Sequence, residues 1–409
     1  MLRPGRAPSR ATALLLGLLA CGQPRPEPAP HVRELPTPAA PGSGEPNLAA
    51  TADGRMLLSW IEPAGEKTHR LRFSTRAKGG EWSEPRTVAE GSDWFVNWAD
   101  FPSLAALSDG RLFAHWLARS GPGTYAYDVR IAVSGDGGTT WASALTPHRD
   151  GTPTEHGFVS LFPGEKDRLG VAWLDGRKTG GRSGHGHGGA EAEMALMYTS
   201  IGPDGRLGDE VLLDGRVCDC CQTSAVWTDR GAIVVYRDRS EKEVRDISAV
   251  RYVDGRWSAP QTLAADNWEI NGCPVNGPAI AALGRRLAVA WFAAPDKPRV
   301  RVAFSADAGE TWSAPFVVDD RRPIGRVDVV LLPKGDALVS WMEQTEKGAE
   351  LRVRRFAPDG GRSPGIVVAD SSAARSSGFQ RMEAAGGEVV LAWRDPAEPP
   401  RVRTAILEN

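Results

Sequence analysis

The stretch SGDGGTTW, residues 134–141, decides the fold of this chain, and it returns with substitutions as SADAGETW at residues 305–312. In such a turn the aspartate accepts backbone N–H groups, the glycine takes a positive φ and the tryptophan packs beneath the hairpin. Both copies fit the pattern S-x-D-x-G-x-T-W, with the fixed positions Ser134, Asp136, Gly138, Trp141 and Ser305, Asp307, Gly309, Trp312. The pattern predicts two equivalent β-hairpins far apart in the chain.

A longer repeat surrounds these hairpins. Short apolar runs that end in an aromatic residue recur 50 to 63 residues apart, at Trp60, Trp116, Trp173, Tyr236, Trp291, Trp341 and Trp393. Strands joined by Gly and Asp turns at this period predict an all-β fold, a β-propeller of four-stranded blades. Seven copies indicate seven blades, with six as the alternative. The last copy holds three strands, so we expect VRELP, residues 32–36, to supply its fourth.

The two hairpin sequences and the number of repeats resemble the Asp-box, or BNR-repeat, propellers of the sialidase superfamily. The resemblance covers most of the chain and implies a sialidase-like propeller over residues 47–409. It also implies that the central face binds or hydrolyses glycans, as an exo-sialidase-like glycoside hydrolase does. Because Asp boxes are structural elements of the hairpin, they indicate the fold more strongly than the reaction.

The N-terminus predicts export. Residues 1–20 combine arginines with the apolar run ATALLLGLLA, the layout of a signal peptide. The run ends in Leu-Leu-Ala-Cys21, which resembles the lipobox of bacterial lipoproteins, and we therefore expect Cys21 to be lipidated. Residues 21–46 are rich in Pro, Ala and Gly and predict an extended tether. The expected location is the bacterial cell envelope, facing the periplasm or the surface; the alternative is a plain cleaved signal.

The charge of the chain limits its partners. Forty-nine basic and 51 acidic residues are interspersed and leave a net charge of −2. Neither a nucleic-acid groove nor a basic membrane patch is indicated, so membrane contact is expected through the lipid alone. We expect a monomer whose partner is a glycan or another polar small molecule.

The order of strands predicts which face carries the site. Loops that join second to third strands, and fourth strands to the next blade, share one face, and the Asp boxes lie at the other. The first set contains candidate acid–base carboxylates at Asp100, Asp175 and Asp238, and Trp98 for stacking on a sugar ring. The family's clamp of three arginines, which binds a carboxylate, has seven candidates here: Arg177, Arg237, Arg239, Arg245, Arg326, Arg381 and Arg394. For any single Arg–Asp pair, a structural ion pair is the alternative.

Two departures from the family's pattern bear on the reaction. The segment DFPSL, residues 100–104, matches a family segment of the type R-I-P-S-L, but Asp100 stands at the arginine's place. The family's nucleophilic tyrosine comes late in the chain, whereas the last tyrosine here is Tyr252. We therefore expect no ordinary exo-sialidase chemistry. Glycoside hydrolysis by another mechanism and a non-catalytic recognition or scaffold lipoprotein are the remaining hypotheses.

The segment VCDCCQTS, residues 217–224, concentrates three of the five cysteines, Cys218, Cys220 and Cys221. Cys273 lies on the loop that enters the next blade. An oxidising compartment favours disulfides, one from the cluster to Cys273 and one between the remaining two. The alternative is a soft metal ion, copper or zinc, bound by these thiolates with His185 and His187. No other cofactor is expected.

Overall fold

The structure, a computed structural model, describes Met1, residues 29–180 and residues 193–408. The predicted signal sequence after Met1, the predicted lipidation site Cys21 and the first residues of the predicted tether lie outside the described residues. So do His185 and His187, the histidines considered for a metal site. Among the described residues no helix has the length and hydropathy needed to cross a bilayer.

Seven antiparallel sheets form a β-propeller, which confirms the predicted all-β fold and the count of seven blades. The only helical segments in the described part are two short 3₁₀ turns, Glu165–Asp167 and Arg375–Ser377.

Blades 1 to 6 take consecutive strands of the chain, and blade 7 combines the last three strands with the first strand. Blade 1 contains β2 (Gly44–Ala50), β3 (Met56–Pro63), β4 (His69–Arg76) and β5 (Arg86–Gly91). Blade 2 contains β6 (Ser103–Ala106), β7 (Leu112–Arg119) and β8 (Tyr127–Ser134). Blade 3 contains β9 (His156–Pro163), β10 (Leu169–Asp175), β11 (Met194–Ile201) and β12 (Val211–Val217). Blade 4 contains β13 (Ser224–Thr228), β14 (Gly231–Arg237), β15 (Ile247–Val253), β16 (Arg256–Trp257) and β17 (Gln261–Ala264). Blade 5 contains β18 (Ala279–Leu283), β19 (Arg286–Ala293), β20 (Arg299–Ser305) and β21 (Phe316–Val317). Blade 6 contains β22 (Pro323–Leu331), β23 (Ala337–Thr345), β24 (Gly348–Phe356) and β25 (Ile366–Ser371). Blade 7 contains β26 (Arg381–Ala385), β27 (Glu388–Asp395), β28 (Arg401–Glu408) and β1 (His31–Leu35).

Two blades depart from four regular strands. In blade 2 the fourth strand is reduced to one bridge between Ile131 and Leu145. In blade 4 the short strand β16 pairs with the end of β15, and β17 takes the outer position along the rest of β15.

The ring closes through the N-terminal strand. β1 pairs antiparallel with β28, from His31 opposite Glu408 to Leu35 opposite Thr404. The last repeat therefore receives its fourth strand from VRELP, as the sequence predicts. This strand lies within the range assigned to the tether, so part of that range is folded into blade 7.

The repeated aromatic residues lie on the second strand of each blade and are at most 9 % exposed. Several of these indoles donate to an acid two residues later on the same strand. Trp173 donates to Asp175 at 2.8 Å, and Trp60 donates to Glu62 at 3.0 Å. A buried indole needs such an acceptor, which explains the acid that follows these tryptophans.

The hydrophobic core lies between neighbouring blades. One cluster joins Ile233 of blade 4, Trp291 of blade 5 and Trp341 of blade 6. The innermost strands of the blades surround a central cavity of about 830 Å³. Packing of this kind holds the loops at one end of the ring in place.

Candidate functional site

A pocket of about 330 Å³ opens on the face that carries the loops between second and third strands. It is lined by Phe95, Asn97, Trp98, Ala99, Asp100, Tyr125, Tyr127, Glu155, Phe158, Asp219, Cys220, Arg239, Arg245, Asn271, Gly272, Cys273, Val275 and Arg375. These residues come from seven segments between strands and from the two strands β8 and β9. The structure thus brings together six of the predicted site residues: Trp98, Asp100, Cys220, Arg239, Arg245 and Cys273.

The floor of the pocket contains two carboxyl groups joined by one phenol. Tyr127 Oη lies 3.1 Å from Asp100 Oδ2 and 2.9 Å from Glu155 Oε1. The N–H of Phe158 donates to the other oxygen of Asp100 at 2.8 Å. A Cβ on Gly157 would lie 2.0 Å from Asp100 Oδ2, so only glycine leaves room for this carboxyl. The three side chains are at most 4 % exposed.

Burial decides the protonation of this triad. It raises the pKa of Asp100 to about 7, against the opposing bonds from Phe158 and Tyr127. Burial and the charges of Glu155 and Asp100 raise the pKa of Tyr127 well above its usual value. A tyrosine hydroxyl has one hydrogen to donate, so a protonated Asp100 completes the chain by donating to Tyr127, which donates to Glu155. Burial therefore favours the protonated form of Asp100 and a neutral phenol at Tyr127.

Aromatic rings form one wall of the pocket. Trp98 stacks on Phe379 with centroids 5.8 Å apart, and the guanidinium groups of Arg326 and Arg375 lie 5.0 and 6.0 Å from its ring. Phe95 stacks on Tyr127 at 4.0 Å. These contacts hold the rings in fixed orientations at the edge of the cavity.

The opposite wall contains the cysteines. The segment from Cys218 is tied to its surroundings because the N–H of Cys218 donates to the carbonyl of Arg237 at 3.0 Å. Cys218 Sγ lies 3.3 Å from Cys221 Sγ and 3.9 Å from Cys220 Sγ. Cys220 and Cys273 line the pocket, whereas Cys218 and Cys221 lie behind them in the core.

The predicted disulfides are absent from the structure, since no bond joins any two of the four described cysteines. A disulfide requires a sulfur separation of about 2.05 Å, well below the separations found here. Cys218 Sγ lies 3.3 Å from Cys221 Sγ, and Cys220 belongs to a set with Cys273 whose ligand atoms lie within 4.8 Å of one another, so these two pairs are neighbours in the fold. The structure does not show either bond, and the disulfides stay a prediction.

An ionic network supports the cysteine wall. Arg245 Nη1 lies 3.2 Å from both Cys218 Sγ and Asp219 Oδ1, and its Nη2 lies 2.8 Å from Glu243. Arg239 pairs with the same Glu243 at 2.8 Å. Both predicted pocket arginines are therefore already held by protein carboxylates.

These surroundings separate the pKa values of the thiols. Burial opposes ionisation of Cys218, but contacts from the Cys220 and Cys221 sulfurs and the charge of Arg245 hold its pKa well below its usual value. Burial raises the pKa of Cys220 and Cys221. The cluster accordingly favours one thiolate and two thiols.

Asp175, the second predicted catalytic carboxylate, lies outside the pocket. It accepts the indole N–H of Trp173 and forms a two-pronged ion pair with Arg177, in which Nη2 lies 2.7 Å from Oδ2. Arg177 also pairs with Glu210 at 2.9 Å. These two predicted site residues form a structural ion pair at the end of β10, which is the alternative weighed from the sequence.

Beside this pair, two histidines stack face to face. The rings of His148 and His156 have centroids 3.7 Å apart, and Asp150 Oδ1 lies 3.2 Å from each ring. Two sets of three residues here have ligand atoms that lie within 4.8 Å of one another inside each set. The sets are Asp128–His148–His156 and Asp150–His156–Asp175. Burial lowers the pKa of His148 to about 4, and it opposes protonation of His156 as well, but Asp150 and Asp175 raise the pKa of His156. His156 is therefore the histidine that forms ion pairs at the end of blade 3.

The third predicted carboxylate and the remaining arginines serve the framework. Asp238 accepts the N–H of Arg239 and the hydroxyl of Ser248. Three of the remaining four arginines donate to backbone carbonyls: Arg237 to those of Asn276, Arg245 and Phe292, Arg326 to those of Gly378 and Ala374, and Arg394 to that of Ser376. The fourth, Arg381, lies 3.4 Å from the carboxylate of Asp328. The seven candidates do not converge on one point as a three-arginine clamp.

Several residues of the pocket were not predicted as site residues. Tyr127 lies on β8, where its alternation pattern reads as an ordinary core position. Arg375 follows the outer strand of blade 6, in a segment without any motif. The one sequence signal for the floor was Asp100, a candidate acid–base carboxylate on a loop of the predicted face.

Comparison with known proteins supports the fold. No protein-family model matches the chain, and no curated protein matches its sequence. Among solved structures, a lectin (BP39L) from Burkholderia pseudomallei is similar over 89 % of this chain and 96 % of its own, with 13 % identity and a TM-score of 0.60. The intramolecular trans-sialidase of Ruminococcus gnavus covers 75 % and 94 %, with 10 % identity and a TM-score of 0.51. The α-L-arabinanase of Penicillium chrysogenum covers 93 % and 99 %, with 12 % identity and a TM-score of 0.50. At such identities the likeness shows a shared propeller fold.

Proposed function

We propose that this protein binds a glycan in the pocket lined by Trp98, Phe95 and Tyr125. The observation that carries the proposal is a row of oriented aromatic rings beside the cations Arg239, Arg245 and Arg375. Rings of this kind stack on the apolar faces of sugars, and polar side chains at the rim bond the hydroxyl or carboxylate groups. A cavity of about 330 Å³ has room for one or two sugar residues. Solved propellers of similar fold include a lectin, a trans-sialidase and an arabinanase.

Binding can be tested on a glycan array followed by calorimetry with the best ligand. Trp98→Ala should weaken binding at least roughly tenfold, since one lost stacking contact costs about 1.4 kcal/mol or more. Trp98→Phe, which keeps a ring, should retain most of the affinity and shows that the site still folds. Trp227→Ala is the matched control, because Trp227 lies on β13 beside the central cavity and away from this pocket. Equal loss in both alanine variants, or no glycan bound by the wild type, contradicts the proposal.

Hydrolysis of the bound glycan is the second candidate, favoured by the triad on the pocket floor. A carboxylic acid that keeps its proton near neutrality is suited to general acid catalysis. Asp100 would protonate the leaving oxygen as the glycosidic bond breaks. The oxygen of a water molecule would then bond to the sugar carbon that lost its leaving group, and the water would give up one proton. That proton would return to the Asp100–Glu155 pair. Asp100→Asn should then retain glycan binding and abolish the release of reducing sugar. If the wild type binds the glycan without hydrolysing it, the hydrolysis hypothesis fails and a lectin-like function remains. Neither candidate requires turnover of simple α-sialosides.

We also propose that the protein acts at the bacterial cell envelope, anchored through Cys21. The support is the signal-like residues 1–20 and the Leu-Leu-Ala-Cys motif. Cys21→Ser should transfer the folded protein from the membrane fraction to the soluble fraction.

A further inference from the structure

The cysteine wall is a cluster of sulfur without an assigned role. The ligand atoms of Cys218, Cys220 and Cys221 all lie within 4.8 Å of one another, and each residue is at most 2 % exposed. Cys220 also belongs to a second set, with Asp219 and Cys273, of the same compactness. Four thiols therefore meet where the entries to blades 4 and 5 adjoin the pocket.

The distances between the sulfurs fit a shared ligand better than a covalent bond. Two sulfurs bound to one metal ion at about 2.3 Å lie roughly 3.8 to 4.0 Å apart. The pairs here are 3.9 Å for Cys218 with Cys220 and 3.3 Å for Cys218 with Cys221. A shift of about half an ångström would bring Cys218 Sγ and Cys221 Sγ to this separation, and Cys220 Sγ lies within 4.8 Å of both.

The charges around the cluster also suit bound thiolates. Arg245 donates to Cys218 Sγ at 3.2 Å, and it is held there by Asp219 and Glu243. Arg237, fully buried beneath the segment, lies close enough to act on Cys218 and Cys221 electrostatically. Two fixed cations offset the negative charge that three thiolates around a monovalent ion would leave.

The ligand set selects the class of metal. Thiolates without nitrogen or oxygen ligands favour soft ions such as Cu(I). Zinc in a structural site needs four ligands in a tetrahedron, but Cys273 belongs to a separate set with Asp219 and Cys220. Cu(I), in contrast, is satisfied by the three sulfurs of Cys218, Cys220 and Cys221 in a plane. Cys220 and Cys273 line the pocket and give an ion a path from solvent.

We propose that Cys218, Cys220 and Cys221 bind one Cu(I) ion, with Cys273 beside its entry path from the pocket. The copper site adjoins the proposed glycan site, because Cys220 and Cys273 line the same pocket, but Trp98 lies on the other wall.

The test is an anaerobic titration of the reduced full-length protein with Cu(I) held by a coloured chelator. One equivalent should transfer to the protein with a thiolate-to-copper charge-transfer band, and X-ray absorption should find sulfur at roughly 2.3 Å. Cys218→Ser or Cys221→Ser should weaken binding by more than the roughly 10–100-fold that loss of an outer partner costs. Trp98→Ala is the control, because Trp98 lies on the other wall of the pocket, and it separates this site from the proposed glycan site. This variant should bind copper as the wild type does.

Three results would overturn the assignment. They are no transfer of copper to the wild type, uptake of zinc alone, or a metal-free disulfide among these residues in protein isolated from its own host. Because the wild-type titration and its absorption spectrum do not depend on any variant, misfolding of a serine variant leaves the test decisive.

Discussion

At the scale of the residue, Asp100 shows how one substitution changes a site. The sequence places an acid where the resembling family has an arginine. The structure places that acid against Tyr127 and Glu155, with 3 % of its surface exposed. A positive clamp residue is thus replaced by a group that burial keeps protonated near neutrality. With an acid instead of an arginine at this position, the pocket floor offers a carboxyl group and not a positive charge.

Asp100 should make stability fall as pH rises. Its pKa is about 7 in the folded chain and near 3.8 when unfolded, so between these values only the folded state holds the proton. The free energy of unfolding should lose up to about 1.4 kcal/mol per pH unit from this group over that window, and nothing more above it. Asp100→Asn should remove this contribution, measured by urea unfolding from pH 4.5 to 9.

The matched control is Asp296→Asn, on the exposed turn between β19 and β20. Its pH profile should run parallel to that of the wild type. Parallel profiles for the Asp100 variant would mean that Asp100 is ionised in the folded protein, and the proton-donor role would fail with it.

At the scale of the element, the two S-x-D-x-G-x-T-W hairpins show why their sequence is so specific. Asp136 Oδ1 accepts the N–H groups of Thr139 and Thr140 at 3.0 and 2.9 Å. Ser134 Oγ accepts the N–H of Gly138 at 2.8 Å, and Ser305 repeats this with Gly309 at 2.9 Å. The fixed side chains satisfy turn amides that no strand can pair.

The glycines of the first hairpin allow a matched comparison. Gly137 and Gly138 both have positive φ, at 70° and 84°, but a Cβ would meet nothing within 4 Å at Gly137 and Phe73 Cζ at 2.2 Å at Gly138. Gly137→Ala should cost about 1 kcal/mol from backbone strain alone. Gly138→Ala should add roughly 1–3 kcal/mol because the buried ring must move. Chemical denaturation of both variants measures the difference, and equal losses would show that the contact with Phe73 is unimportant.

At the scale of the whole molecule, the ring depends on a contact between its two ends. β1 and β28 are separated by nearly the whole chain, yet they pair over five residues. Ion pairs between Arg33 and Glu408, and between Glu34 and Arg403, flank this pairing at 2.7 and 2.6 Å. Such exposed pairs add little, so the backbone ladder and the apolar contacts of Val32 and Leu35 hold the ends together.

Removal of β1 should therefore weaken the whole ring. A chain that begins at residue 36 should lose roughly 2–4 kcal/mol of unfolding free energy, and amides of β28 should exchange faster with solvent. A chain that begins at residue 29 retains β1 and should match the full chain. If both truncated chains unfold alike, the closing strand contributes no stability.

The sequence alone determined the propeller, the number of blades, the closing strand and the face that carries the pocket. These features are recorded locally, because turn residues and the alternation of apolar side chains are set by neighbours in the chain. Only the tertiary structure decided which charged residues reach the pocket. Asp175 and Arg177 satisfy each other, and Arg326 is used by backbone carbonyls, although all three come from the predicted face.

The same limit applies to the triad and to the sulfurs. Asp100, Tyr127 and Glu155 come from three separate segments, and no local pattern signals that one phenol lies between two acids. For the cysteines, the compartment suggested oxidation, whereas the fold sets sulfur distances of 3.3 and 3.9 Å. Hydrogen bonds, burial and ligand distances are properties of atoms brought together from distant positions, so they exist only once the blades have packed.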